Sequence, residues 1–248
     1  MGIIRKIQNK FSQFRQADRK VDWLVDYWYW RRFTNRHKKQ IPINLAFDRD
    51  HGVETATEIP LEAVGVPLAD VERGNGVYRA LTEELFRTSL ASIRIDSSQF
   101  TFVDIGSGKG KVMFMAADLP FKRVVGIEYA LGLHDVAIRN IATYRSTTQK
   151  CHDIEAIYGD ALQYSLPAGP VLLFTFNALS KELMRDFMIK LDRDAAANRD
   201  RPLFFIYTNL RKVAEVGAAF DGLPNLRTIR RVRNFVVVAN DAGRKLAG

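Results

Sequence analysis

Cysteine is almost missing from this chain: its 248 residues carry one, Cys151. A single thiol makes no disulfide framework and no Cys-rich zinc or iron–sulfur site, and a reducing compartment is the simplest expectation. Histidine is scarce as well. His37, His51, His134 and His152 stand apart at no metal-ligand spacing, so no metal is expected. No secretory signal is visible, because charge recurs every few residues through 1–20. One uncharged run, 161–180, reaches transmembrane length, but it holds Gln163, Pro167, Gly169, Pro170 and Asn177 and reads as a loop plus a buried strand. A cytoplasmic protein is expected.

Acidic charge is the next shortage, and it is local. The chain has 37 basic and 28 acidic residues, a net +9. Residues 1–40 hold 11 Lys/Arg against 3 Asp, or +8, which leaves +1 for the remaining 208. The basicity belongs to an N-terminal arm, so the pI near 9.7 does not make the main domain a nucleic-acid binder. The arm also carries Trp23, Trp28 and Trp30 beside Tyr27, Tyr29 and Phe33. Upstream, Ile3, Ile7, Phe11 and Phe14 recur at helical spacing among Arg5, Lys6, Lys10 and Arg15, a basic amphipathic helix. Three readings stay open: a helix packed on the main domain, an interfacial helix on the inner face of an anionic membrane, or a contact with RNA or another acidic partner.

Residues 41–76 show no persistent period and are rich in Pro, Gly and charge, as expected of a loop-rich cover over a substrate or cofactor site. From Val77 the spacing of Tyr78, Leu81, Leu85, Leu90 and Ile93 predicts a helix. Beyond it, strands alternate with helical faces. Strands are predicted at 100–105, 123–127, 154–158, 171–176 and 203–207, with two closing strands at 227–233 and 235–239. Nearly continuous apolar strands alternating with helices mean a mainly parallel α/β sheet covered on both faces.

The first of these strands runs into Asp104-Ile105-Gly106-Ser107-Gly108-Lys109-Gly110. A glycine-rich turn that opens a helix at a strand's carboxyl end is a ligand-binding place. A P-loop is excluded, because Lys109 is followed by Gly110 and the first glycine is misplaced. A nicotinamide or flavin fingerprint fits poorly, because the glycines are spaced Gly-x-Gly-x-Gly and Asp104 would repel a diphosphate. A carboxylate there suits a sulfonium and an ammonium group. Glu128 ends the second strand, placed to bind both ribose hydroxyls, and Gly159-Asp160 follows the third, placed to accept from an adenine amine.

FVDIGSGKG, VVGIE, YGD and VLLFTFN, over about 77–240, resemble the class I S-adenosylmethionine-dependent methyltransferases. DIGSGKGKVMFMAA with RVVGIEYALGLHDVAIRN, and FDRDHGVET before them, resemble a bacterial group of such enzymes with mostly unassigned substrates. The resemblance implies a Rossmann-like seven-stranded sheet whose last strand is antiparallel and inserted between the fifth and sixth. It implies S-adenosyl-L-methionine as cofactor, with Asp104, Gly106, Ser107 and Gly108 at its methionine end, Glu128 on the ribose, Asp160 and Ala161 on the adenine, and Tyr78 as an aromatic contact. Asn177 stands where many N-methyltransferases carry Asp/Asn-Pro-Pro-Tyr/Phe, but Ala178 and Leu179 replace the prolines. Asp48, Asp50 and His51 are candidate bases, Arg49 a candidate for an acidic substrate group, and Tyr207 and Asn209 candidate acceptor-pocket residues.

Three domains are therefore expected: a helical arm over 1–40, a cover over 41–76 and a methyltransferase domain over 77–248. The expected activity is methyl transfer by in-line displacement to an N or O nucleophile. A protein lysine, a glycan or lipid-linked hydroxyl and a small molecule all remain open as acceptor. A cofactor-binding partner or assembly protein without transferase activity is the alternative.

Overall fold

The computed structural model describes residues 39–67, 76–208 and 216–247. The expectations for the arm's tryptophans, for its amphipathic helix and for Asn209 lie outside the described residues. The chain divides into two units between Ile43 and Asn44, and the unit from Asn44 onward contains the whole sheet.

The central sheet is built from the apolar segments. Its strands are β3 (Thr101–Ile105), β4 (Arg123–Glu128), β5 (Ile154–Tyr158), β6 (Val171–Phe176), β7 (Leu203–Thr208), β8 (Arg227–Arg231) and β9 (Phe235–Ala239). Their order across the sheet is β5-β4-β3-β6-β7-β9-β8. β9 runs antiparallel to both β7 and β8, while the ladders from β5 through β7 are parallel. This is the Rossmann-like arrangement expected from the sequence, with the last strand inserted between the fifth and sixth. A short hairpin, β1 (Ile59–Pro60) with β2 (Val77–Tyr78), stands apart from it.

Alternation along the strands fills two cores. Phe102, Val124, Leu172, Phe174, Phe204, Ile206 and Val237 belong to one. Val103, Val125, Leu173, Phe205, Tyr207 and Val236 belong to the other. A strand that buries both rows has no polar face, which is why these segments read as unbroken apolar runs. Helix α2 (Glu83–Leu90) and the wholly buried α3 (Lys111–Ala117) serve the first core. Helix α5 (Lys181–Ala197) covers the second with Met184, Phe187, Met188 and Leu191. α4 (Leu131–Thr143) crosses between β4 and β5, and α6 (Asp241–Ala247) ends the described chain.

Two elements differ from the sequence reading. The helix predicted from Val77 starts only at Glu83, behind Thr82 as N-cap, because Val77 and Tyr78 pair with Pro60 and Ile59 instead. Residues 39–51 are helical (α1) where no period was apparent. The run 161–180 is a loop that feeds β6, and no helix among the described residues is long and apolar enough to cross a membrane.

Candidate active site

β3 lies between β4 and β6, so the chain leaves its carboxyl end towards one neighbour and later returns on the other side. That reversal opens a crevice at the strand ends. The turn after β3 lies there. Gly106 and Ser107 both donate their N–H to the Ile127 carbonyl, at 2.8 and 3.0 Å, which curls the chain back over β4. Gly106 and Gly108 have φ of +72° and +56°. A Cβ on Gly106 would sit 2.1 Å from the Ala178 Cβ, and one on Gly108 would sit 2.3 Å from the Tyr78 ring. The turn is thus gripped between the loop after β6 and a tyrosine from β2, at separations that leave room only for glycine.

Two acids face this turn. Glu128 Oε2 accepts from the Gly108 N–H at 2.7 Å and Oε1 from the Ala130 N–H at 2.8 Å. Burial raises its pKa, and those backbone donors hold the rise back. Asp104 is 2% exposed, and its Oδ2 has no hydrogen-bond partner among the described residues. Burial, with Glu128 nearby as a lesser cause, pushes its carboxyl well above the usual carboxylate range. The Ser107 hydroxyl is also buried without a partner among the described residues. The cation nearest in sequence does not answer this need. Lys109 is fully buried, and its Nζ donates to Glu54 at 2.7 and 2.9 Å and to the Thr57 carbonyl at 3.0 Å. A buried carboxylate left unpaired beside a second acid is costly unless something positive or hydrogen-bonding meets it.

Residues 53–57 form a strap tied to the turn from several sides. Asn140 Nδ2 donates to the Glu54 carbonyl and the Lys109 carbonyl at 3.0 and 2.9 Å, and its Oδ1 accepts from the Glu54 N–H at 2.9 Å. Asp48 accepts from the Thr55 and Ala56 N–H groups, both at 2.7 Å, and from the Thr55 hydroxyl at 2.5 Å. The Tyr78 hydroxyl donates to the Thr55 carbonyl at 3.0 Å, so the strap also steadies the ring that roofs Gly108.

No protein-family model matches the chain, and no curated protein matches it closely. Among solved structures it is similar to precorrin-6y C5,15-methyltransferase of Geobacter metallireducens, at 13% identity and a TM-score of 0.46 over 65% of this chain and 91% of that one. It is similar also to an RNA methyltransferase of Salinibacter ruber in complex with S-adenosyl-L-homocysteine, at 15% identity and a TM-score of 0.40 over 64% and 91%. A third is magnesium protoporphyrin IX methyltransferase of Synechocystis with bound cofactor, at 11% identity and 0.40 over 64% and 77%.

Of the residues singled out in the sequence, Asp104, Gly106, Ser107, Gly108, Glu128 and Tyr78 are brought together around the turn. Asp160 is exposed after β5, and its Oδ1 accepts from Leu162 at 2.8 Å. Gly159 ties that segment to the Glu128 carbonyl at 3.0 Å, and Ala161 follows half-buried. Asn177 has φ +54°, the one left-handed non-glycine among the described residues, and its N–H donates to the Thr208 carbonyl. Its neighbour Ala178 touches the turn, so the loop after β6 lines the same crevice.

Asp48 and His51, offered as bases, are both hydrogen-bonded to the chain. Asp48 is 9% exposed, with both oxygens committed to the strap. His51 Nδ1 lies 2.8 Å from the Arg145 carbonyl, and its ring stacks on Tyr144 and meets Phe47 at a tilt. Arg49 and Asp50 are exposed and pair with each other. Tyr207 is fully buried against Phe220 in the second core. Glu54, Lys109 and Asn140 were missed as a unit. The available signal was Asn140 itself, a polar residue on the apolar face of α4. Asn140→Ala is expected to destabilise the chain by ~2 kcal/mol and to speed hydrogen exchange at Glu54 and Thr55 more than at β3. Uniform loss of protection would make Asn140 an ordinary core residue.

Proposed function

We propose that this chain is an S-adenosyl-L-methionine-dependent methyltransferase. The observation that carries the reading is the buried Asp104 carboxylate, unpaired beside Glu128 while Lys109 is engaged by Glu54. A ligand that brings its own positive charge and hydroxyl groups satisfies that site, and the cofactor's ammonium, sulfonium and ribose do so. When bound, the cofactor would supply a methyl group on an already activated sulfonium.

The protein's part is then to hold and to exclude. Asp104 receives the ammonium end against the Gly106–Gly108 backbone. Glu128, held through its two oxygens by the Gly108 and Ala130 N–H groups, takes the ribose hydroxyls. Asp160 and Ala161 meet the adenine edge. Asn177 fixes an acceptor amine or hydroxyl at the crevice wall. The strap and Tyr78 keep water off the turn, and the rate enhancement comes mainly from alignment of the acceptor in a dry site. In this reading, Asp48 and His51 are positioning residues of the cover over 41–76 rather than bases. The acceptor is an N or O nucleophile, residues 1–40 form a basic arm, and 77–248 form the catalytic domain.

Calorimetric titration with S-adenosyl-L-homocysteine tests this. Micromolar binding, with no heat from NAD or NADP, is expected, followed by labelled-methyl transfer into lysate fractions. No binding by the folded chain overturns it. Binding without any transfer favours the alternative, an assembly protein that only holds the cofactor.

A further inference from the structure

Among the described residues β8 is an edge strand of the sheet, and its charge is one-sided. Arg227, Arg230, Arg231 and Arg233 fall within seven residues that hold no acid. All four are exposed. Arg231 pairs with Asp221, and Arg227 donates to the Leu226 and Leu223 carbonyls, while Arg230 and Arg233 make no ion pair among the described residues. Protection of an edge strand against aggregation does not require this excess. The opposite edge of the same sheet, β5, is guarded by Asp153 and Glu155, both paired with Arg123.

The ladder locates the strip. β8 runs parallel to β7, so its carboxyl end lies at the same sheet edge as the crevice. Arg231 stands level with Val236, Tyr207 and Thr175, one residue beyond the level of Asp104 and Phe174. From β3 to β8 is four ladder steps, about 19 Å. A bulge between Thr228 and Arg230 returns Arg230 to the face of Arg227: they oppose Val237 and Ala239, two residues apart on β9. That puts the two guanidinium stems about 7 Å apart, on the scale of neighbouring phosphates in a nucleic-acid strand. Arg233 caps the row at the hairpin closed by Val232 and Phe235.

We propose that this strip docks a single-stranded nucleic acid and leads one of its bases or riboses to the crevice. The substrate class rests on the methyltransferase reading, whereas the binding does not. Arginine is suited to the role, since its planar fork grips phosphate and stacks on bases. A lone charged group would need one arginine, while a row that lies ~19 Å from β3 fits a strand spanning several nucleotides.

The test is fluorescence anisotropy of a labelled single-stranded RNA of roughly 12 nucleotides, and of DNA of the same sequence, with the full chain over a salt series. Arg230→Glu with Arg233→Glu is expected to weaken binding at least ~10-fold and to flatten the salt slope by about 1.4, the value for two phosphate contacts on a single strand. Lys122→Glu with Arg139→Glu, exposed on the β4–β5 side, makes the same charge change and is expected to shift binding less than ~2-fold. Equal loss in both double variants, or no binding by the wild-type chain, overturns the proposal. So does strip-dependent binding to anionic phospholipid vesicles with none to either oligonucleotide. Adenosylhomocysteine affinity, measured on the same proteins, is expected to stay unchanged, so failure of the strip and failure of the cofactor reading are told apart.

Discussion

Asp104→Asn is expected to lower affinity for S-adenosyl-L-homocysteine at least ~100-fold and, in the same protein, to raise the unfolding midpoint of the ligand-free chain. The two effects share one cause. Asp104 is buried, and its Oδ2 has no hydrogen-bond partner among the described residues. A carboxylate in that position destabilises the empty fold and stabilises the liganded one. Loss of ~100-fold corresponds to about 2.7 kcal/mol, within the range for removing one partner of a buried charge-assisted pair. The gain in the empty chain is expected at ~1–2 kcal/mol, the usual return when a strained functional group is neutralised.

The pH dependence carries the same sign. The folded-state pKa of Asp104 is raised, mainly by burial and then by Glu128. Its contribution to stability is therefore fully present below the ordinary carboxylate range and is lost as pH climbs through the raised value. Glu128, raised by burial, adds a slope of the same direction. Lys111 acts in a separate window. Burial lowers its pKa to about 8, so the wild type regains stability as pH rises from there towards the ordinary lysine value. Urea midpoints from pH 4 to 7 should fall in the wild type and fall less in Asp104→Asn. A variant that binds as tightly as the wild type, or that unfolds earlier at neutral pH, would make Asp104 a structural acid and remove the main support for the proposed function.

Most of the frame was legible because burial on both faces leaves a plain trace. β5 and β6 lie where their apolar runs put them, and β8 and β9 are parted at Asn234 as read. The ends of β3 and β4 followed from the glycine turn and from Glu128. The cover was not legible, because its contacts are long in sequence. Tyr78 has helical spacing to Leu81 and Leu85, yet a strand pairing with Ile59 and a hydroxyl bond to Thr55 decide its conformation. Lys109 and Glu54 are 55 residues apart, and no local period reports such a pair. Asp48 and His51 looked like free chemistry because a loop acid and a loop histidine carry no mark of the backbone groups they will meet.

Gly108→Ala is expected to cost ~2–4 kcal/mol in chemical denaturation, more than any exposed substitution on the sheet edge. Two terms add. Alanine at φ +56° is strained by about 1 kcal/mol, and the new methyl would meet the Tyr78 ring at 2.3 Å. That ring is not free to swing aside, since its hydroxyl is tied to the Thr55 carbonyl at 3.0 Å. Tyr78→Ala opens the space, so the double variant should be more stable than the sum of the single effects predicts by at least ~1 kcal/mol. The residue of the Gly108 cost that survives without the ring is the backbone strain. Gly106→Ala with Ala178→Gly offers the same cycle on the other wall, where the contact would be 2.1 Å. Strict additivity in both cycles would mean that the turn relaxes away from its neighbours and that the crevice is not held shut by them. Stability rescue need not restore function. Gly108 N–H is one of the backbone donors on Glu128, so a turn rotated to admit a methyl loses its 2.7 Å hold on that carboxylate. Adenosylhomocysteine affinity should therefore stay low in Gly108→Ala even when Tyr78→Ala has recovered the fold, which separates the turn's part in ligand binding from its part in packing.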